Sequence, residues 1–103
     1  MVFFDDRKKA FEERFRYEQD LRFKITARGN WLFGEWAAAR LGMRETEAGD
    51  YAKAIVDAQF EEPGVVARVS KDLSTKGIAT KEAALRSKLT HFRNEAKRQI
   101  MAE

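Results

Sequence analysis

From residue 5 to residue 28 the chain contains neither glycine nor proline, and most of residues 5–24 are charged. This stretch, DDRKKAFEERFRYEQDLRFK, sets Phe11, Phe15, Tyr17 and Phe23 between blocks of opposite charge. The pattern predicts a helix. Asp5 and Asp6 suit its start, as N-cap residues and as charges against the positive end of the dipole. Opposite charges fall four apart in the favourable order: Asp5 with Lys9, Glu12 with Arg16, Glu18 with Arg22, Asp20 with Lys24. Each such pair contributes about 0.2–0.5 kcal/mol, so the four together give roughly 1–2 kcal/mol. That leaves an isolated segment of this length marginal in water. Phe4, Phe11 and Phe15 form a stripe on one side, which at the next turn meets Glu18, Gln19 and Arg22 instead of apolar groups. The helix thus has a narrow edge of phenylalanines and no broad core face. Two readings stay open: an exposed extension whose rings lie on the body, or a recognition helix that presents Phe11 and Phe15 to a partner groove.

The remaining sequence predicts a self-sufficient body. A chain of 103 residues is one domain by size and buries a small core. No strand alternation, repeat or low-complexity linker interrupts it. Leu21, Ile25, Leu32, Trp36 and Ala39 recur at helical spacing and predict a core face. Ala37, Ala38 and Ala39 favour a helix and let a neighbour approach closely. Gly29 fits a kink, Gly34 a close helix contact and Gly42 a helix stop. Thr46 is expected to cap a second helix with Tyr51, Ile55, Ala58 and Phe60 inward. Pro63 closes that helix and suits the first turn of a third, which carries Val65, Val66, Val69 and Leu73. Lys76-Gly77-Ile78 reads as a Schellman stop in which Ile78 touches Leu73. Thr80 is expected to cap the last helix, where Leu85, Leu89, Phe92, Ala96 and Ile100 follow the helical rule. The fold class predicted is all-α. A compact four-helix bundle spans residues 20–103, with helices near 20–42, 47–61, 64–76 and 80–101 and short connections. Residues 1–19 form an N-terminal arm, either a continuation of the first helix or a mobile segment ahead of it.

Composition narrows the function. The absence of cysteine removes disulfides, thiolate metal sites and thiol nucleophiles, and fits a cytoplasmic protein. The apolar start is four residues long, so neither a signal peptide nor a membrane span is expected. The net charge of +3, from 20 basic and 17 acidic residues, hides an asymmetry. Residues 40–64 carry three basic and six acidic groups, net −3, and residues 65–103 carry nine and four, net +5. The basic part could attract an anion or an acidic protein surface.

The evidence for catalysis is poor. The one histidine, His91, is expected on a helix surface beside Phe92. The acidic pairs Asp5/Asp6, Glu12/Glu13 and Glu61/Glu62 are adjacent in sequence, so their side chains diverge by about 100° on a helix. No metal-bundle pattern or phosphate-binding glycine loop occurs, and no cofactor is expected. Helix four offers Lys81, Arg86, Lys88, Arg93, Lys97 and Arg98, but the balanced charge and lack of a module signature argue against nucleic acid. The many carboxylates of the arm argue against a membrane surface.

Several clusters together carry a resemblance. FDDRKKAFEERF (4–15) precedes LRFK (21–24). Arg28, Asn30, Leu32, Gly34, Trp36, Ala37 and Ala38 then form R-x-N-x-L-x-G-x-W-A-A. YAK (51–53), A-x-F-E-E (58–62) and E-A-x-R-Q-I (95–100) follow. In order and spacing, over nearly the whole chain, these resemble the zeta subunit family, the ATPase inhibitors of alphaproteobacterial F-type ATP synthases. Differences are Lys8 in place of an acidic residue, Gly29 in place of a charged one, and a short EEPGVV loop. The resemblance implies a four-helix bundle and a regulatory inhibitor, not an enzyme. It implies an N-terminal helix that inserts between catalytic alpha and beta subunits, reaches the central stalk and blocks rotation in the hydrolysis direction. The arm residues it points to are Phe4, Asp5, Asp6, Arg7, Phe11, Arg14, Phe15 and Arg16. The protein is then expected to be a monomer, located in the cytoplasm at the inner-membrane face through the synthase. The alternative is a helical interaction module with weak adenine-nucleotide or anion binding on a basic face of Lys88, Arg93 and Lys97.

Overall fold

The computed structural model describes the backbone of residues 2–103 and the side chains of residues 5–103. Four α-helices follow in order: α1 (Val2–Arg40), α2 (Glu45–Asp57), α3 (Val65–Thr75) and α4 (Glu82–Met101). A single 3₁₀ turn, Ala58–Phe60, extends α2. No strand occurs among the described residues, in agreement with the all-α expectation.

The arm and the first bundle helix are one element. At 39 residues, α1 is about 58 Å long by the rise of 1.5 Å per residue. It accounts for most of the 66 Å long axis of a molecule only 26 and 20 Å across. The radius of gyration is 17.6 Å, against about 13 Å for a compact chain of this length. The excess comes from the front of α1, where every residue from 5 to 20 is exposed. Burial begins at Leu21 and deepens from Gly29 to Leu41, where α2 and α4 pack on the helix. Because the helix starts at Val2, Asp5 stands in its first turn and neither Asp5 nor Asp6 is the N-cap. None of the four expected arm ion pairs closes within 4 Å; the described pairs are Arg68–Asp72, Arg86–Glu82 and Arg98–Glu95. Fully solvated pairs gain too little to hold two long side chains in one geometry.

Two glycines set how closely the helices meet. A Cβ on Gly34 would lie 2.8 Å from Ala52 Cα of α2. One on Gly29 would lie 2.5 Å from Arg93 Cγ and 2.9 Å from Arg93 Cα of α4. Gly34 is therefore the expected close contact. Gly29, expected to fit a kink, is a second such contact, inside a helix that continues past it. The deepest side-chain burial on α1 falls on Asn30, Phe33, Ala37 and Ala38, with Leu41 buried just past its end, while Leu21, Ile25, Leu32 and Trp36 are half-buried and Ala39 is exposed. The expected stripe was only the flank of a helix covered from two sides.

The helix ends explain the connections. Both α1 and α3 end in Schellman motifs. At the first, Met43 N–H donates to Ala38 O and Gly42 N–H to Ala39 O. At the second, Ile78 N–H donates to Leu73 O and Gly77 N–H to Ser74 O. Gly42 and Gly77 take φ of 80° and 78°, the left-handed conformation that this stop requires. The starts depart from expectation. Neither Thr46 nor Thr80 is a cap: α2 starts one residue before Thr46, after Arg44, and α4 follows Lys81, both without a side-chain capping bond. Thr80 Oγ1 is instead buried without a partner. Helix two is shorter than expected because its last turn tightens to 3₁₀; Phe60, expected inward, faces outward there while Ala58 stays buried. The core otherwise contains Tyr51, Ile55, Val65, Val69, Leu73, Leu85 and Leu89, with Phe92 and Val66 packed against it.

Candidate partner-binding arm

Residues 5–20 present one organised edge. Residues i, i+4, i+7 and i+8 share a side of a helix, which places Arg7, Phe11, Arg14 and Phe15 together on α1. Phe11 is 70 % and Phe15 55 % exposed. With Glu12, Arg16 and Gln19 they line a shallow depression on this helix, chiefly apolar in character. The edge therefore pairs two uncovered rings with two guanidinium groups, a combination suited to an apolar groove with carboxylates at its border. Asp5 and Asp6 are exposed on other sides of the same helix, and Arg16 is exposed at the far border of the depression. The side chain of Phe4 lies outside the described residues.

The three basic candidates of helix four do not converge. The Lys88 ammonium sits 5.4 Å from the centre of the Trp36 ring, which Arg40 also covers at 5.2 Å. Arg93 points into the bundle. Its Nη2 donates to Asn30 Oδ1 and to Gln59 Oε1, both at 3.0 Å, and Asn30 Nδ2 donates to Gln59 Oε1 at 2.9 Å. Lys97 is exposed. Lys88 and Arg93 are five residues apart, about 140° around the helix axis. Burial pushes the Arg93 guanidinium below the ordinary arginine range. No described ion pair includes it. His91 is exposed, edge-on to Phe92, as expected.

The Asn30–Gln59–Arg93 network was not foreseen. It ties α1, the 3₁₀ turn and α4 together, and Asn30 is completely buried. Apolar periodicity gives no weight to such residues. The available clue was Asn30 itself, a polar residue within an otherwise apolar helical stretch. A second link, between α2 and α3, joins Tyr51 OH to Asp72 Oδ2 at 2.7 Å, with Arg68 Nε at 3.0 Å from the same oxygen. Burial, then the bond to Asp72, drives the Tyr51 phenol well above its ordinary range. Also unforeseen was a stacked pair on the surface, Phe23 with Phe60.

Among the described residues, no helix is long and apolar enough to cross a membrane. No curated protein matches the chain. Residues 1–99 do match the family model described as ATPase inhibitor subunit zeta, a span that takes in the arm and all but the last residues of α4. The protein therefore belongs to the ATPase inhibitor subunit zeta family, which makes it a regulatory subunit associated with ATP synthase and not a catalyst.

Proposed function

We propose that the protein inhibits ATP hydrolysis by inserting its N-terminal arm, residues 1–19, at a catalytic alpha/beta interface of an F-type ATP synthase. The inserted helix reaches the central stalk and blocks rotation in the hydrolysis direction. Residues 20–103 are the handle that limits how far the arm enters. The observation that carries this reading is the exposed edge of Arg7, Phe11, Arg14 and Phe15 on a helix that the bundle leaves uncovered. Burying both rings contributes about 3–6 kcal/mol, at roughly 1.5–3 kcal/mol each. That offsets much of the cost of ordering the arm in a groove. Arg7 and Arg14 border the rings and meet partner carboxylates in two-point contacts.

The test adds the full chain, and separately a chain lacking residues 1–19, to the purified cognate ATPase. The full chain is expected to slow hydrolysis and the shortened one to leave it unchanged. Equal inhibition by both, or none by either, rules this mechanism out.

A further inference from the structure

Phe23 and Phe60 lie outside the arm and outside the core. Their rings stack with centroids 6.4 Å apart and planes 12° from parallel. They are nevertheless 60 % and 78 % exposed. Single exposed apolar side chains are normal, whereas neighbouring large rings form a patch of the kind that partners cover. The patch is also held in place. Ala58 anchors the 3₁₀ turn in the core, and Gln59, next to Phe60, accepts hydrogen bonds from Asn30 and Arg93. A ring on so fixed a turn loses little freedom on binding, which favours affinity.

We infer that Phe23 and Phe60 form a second docking point for the same ATPase, received by an apolar socket with basic side chains at its rim. The inference rests on the arm reading above. Continuity supports it first. Phe11, Phe15, Gln19 and Phe23 follow at four-residue steps on α1. Each step turns about 40°, so the line curls about 120° over roughly 18 Å before it meets Phe60. A cleft that wraps the helix covers this line; a flat surface does not. Charge supports it second. Asp57, Glu61 and Glu62 flank Phe60, all are exposed, and none belongs to a described ion pair. They lie in the segment of net charge −3, residues 40–64. Such a border is complementary to arginine and lysine on the partner. Phe23 stands about 12 Å behind Phe15 along the helix, so the patch meets the mouth of the cleft when the arm is seated and fixes the depth of insertion.

The test measures binding of full-length variants to the cognate catalytic head, beside inhibition and thermal melting. Phe60→Ser is expected to weaken binding about tenfold or more, the fold-change that corresponds to one buried ring, with an unchanged melting temperature. The pair Glu61→Lys and Glu62→Lys, which leaves the rings untouched, is expected to weaken binding too. If Phe60→Ser binds like the wild type while Phe11→Ser with Phe15→Ser abolishes inhibition, the second docking point is refuted and the arm reading stands. If Phe60→Ser weakens binding while the arm variants inhibit normally, the docking point stands and the arm reading fails. Should Phe60→Ser melt lower, the charge-reversal pair decides, and unchanged binding by that pair refutes the inference. A wild-type dimer in sedimentation that Phe60→Ser converts to monomer shows that a second copy covers the patch, and likewise refutes it.

Discussion

The two ends of α1 share one backbone and almost nothing else. Residues 5–20 are exposed throughout, whereas residues 29–41 include a buried asparagine, a buried phenylalanine and two glycines pressed against neighbouring helices. The front is a helix by local preference and charge spacing. The back is a helix because α2 and α4 close on it. Helices in folded proteins draw most of their stability from packing of an apolar face. The back therefore holds the front, which grows from a preformed helix and is spared the cost of nucleation. Stability is located in one half of α1 and the proposed recognition surface in the other.

The largest effect that would test this division is expected at Phe33, which is fully buried and stacked 5.7 Å from Trp36. Phe33→Ala should destabilise by about 3–5 kcal/mol. For a domain of this size each kcal/mol shifts the melting temperature by about 4–8 °C. Urea titration with circular dichroism reads it directly. A loss below about 1 kcal/mol would show that the back of α1 is not where the fold is anchored.

Next in size are the close contacts. On an exposed helix Gly→Ala stabilises by about 0.5–1 kcal/mol. At Gly34 the added Cβ meets Ala52 Cα at 2.8 Å and Ile55 Cβ at 3.1 Å. Neither is the free end of a flexible chain, so α1 and α2 must part. Overpacking of this kind costs about 1–3 kcal/mol and outweighs the gain in propensity. Gly34→Ala is thus expected to lower the urea midpoint, and Gly29→Ala to do the same through the Arg93 backbone. An increase at Gly34 would mean that the two helices tolerate separation.

Much of this division was legible in the sequence. The missing apolar face after Phe15 marked the arm, and regular apolar spacing marked Val65–Leu73 and Leu85–Ile100 as inward lines. Glycine after the apolar runs marked both helix stops, Gly77 as a Schellman motif and Gly42 as a plain stop that is also one. Gly34 was read as a close helix contact and is one, but most else decided by contact between helices failed. The expected face of α1 included Ala39 and omitted Phe33, because hydropathy assigns no weight to Gly29, Gly34 or Asn30, which locate the neighbours. Thr46 and Thr80 have capping chemistry, but the starts of α2 and α4 follow from how their apolar faces dock. Phe60 was expected inward together with Ala58, but two residues on a helix turn about 200°, so with Ala58 buried Phe60 faces out. For the site, Phe11 and Phe15 were visible as rings without a core to join. The Phe23–Phe60 pair was not, since 37 residues separate its members.

The smallest stability effect is expected at those arm rings, and its smallness sharpens the contrast most. Phe11 and Phe15 keep more than half of their surface in water in the folded chain, so folding removes little apolar area there. Phe and Ser have similar helix propensities. Phe11→Ser and Phe15→Ser should therefore change unfolding free energy by no more than about 0.5 kcal/mol each, as at other surface positions. Inhibition of the cognate ATPase should fall sharply in the same variants if, as proposed, the rings are buried in the partner. Stability and function then separate along one helix: Phe33→Ala lowers the urea midpoint, and Phe11→Ser leaves it in place while binding is lost. A drop of more than 1 kcal/mol at Phe11 would show that the arm packs on its own bundle in solution. In that case the two halves of α1 would form a single structural unit, and insertion into a partner would first require the arm to be released.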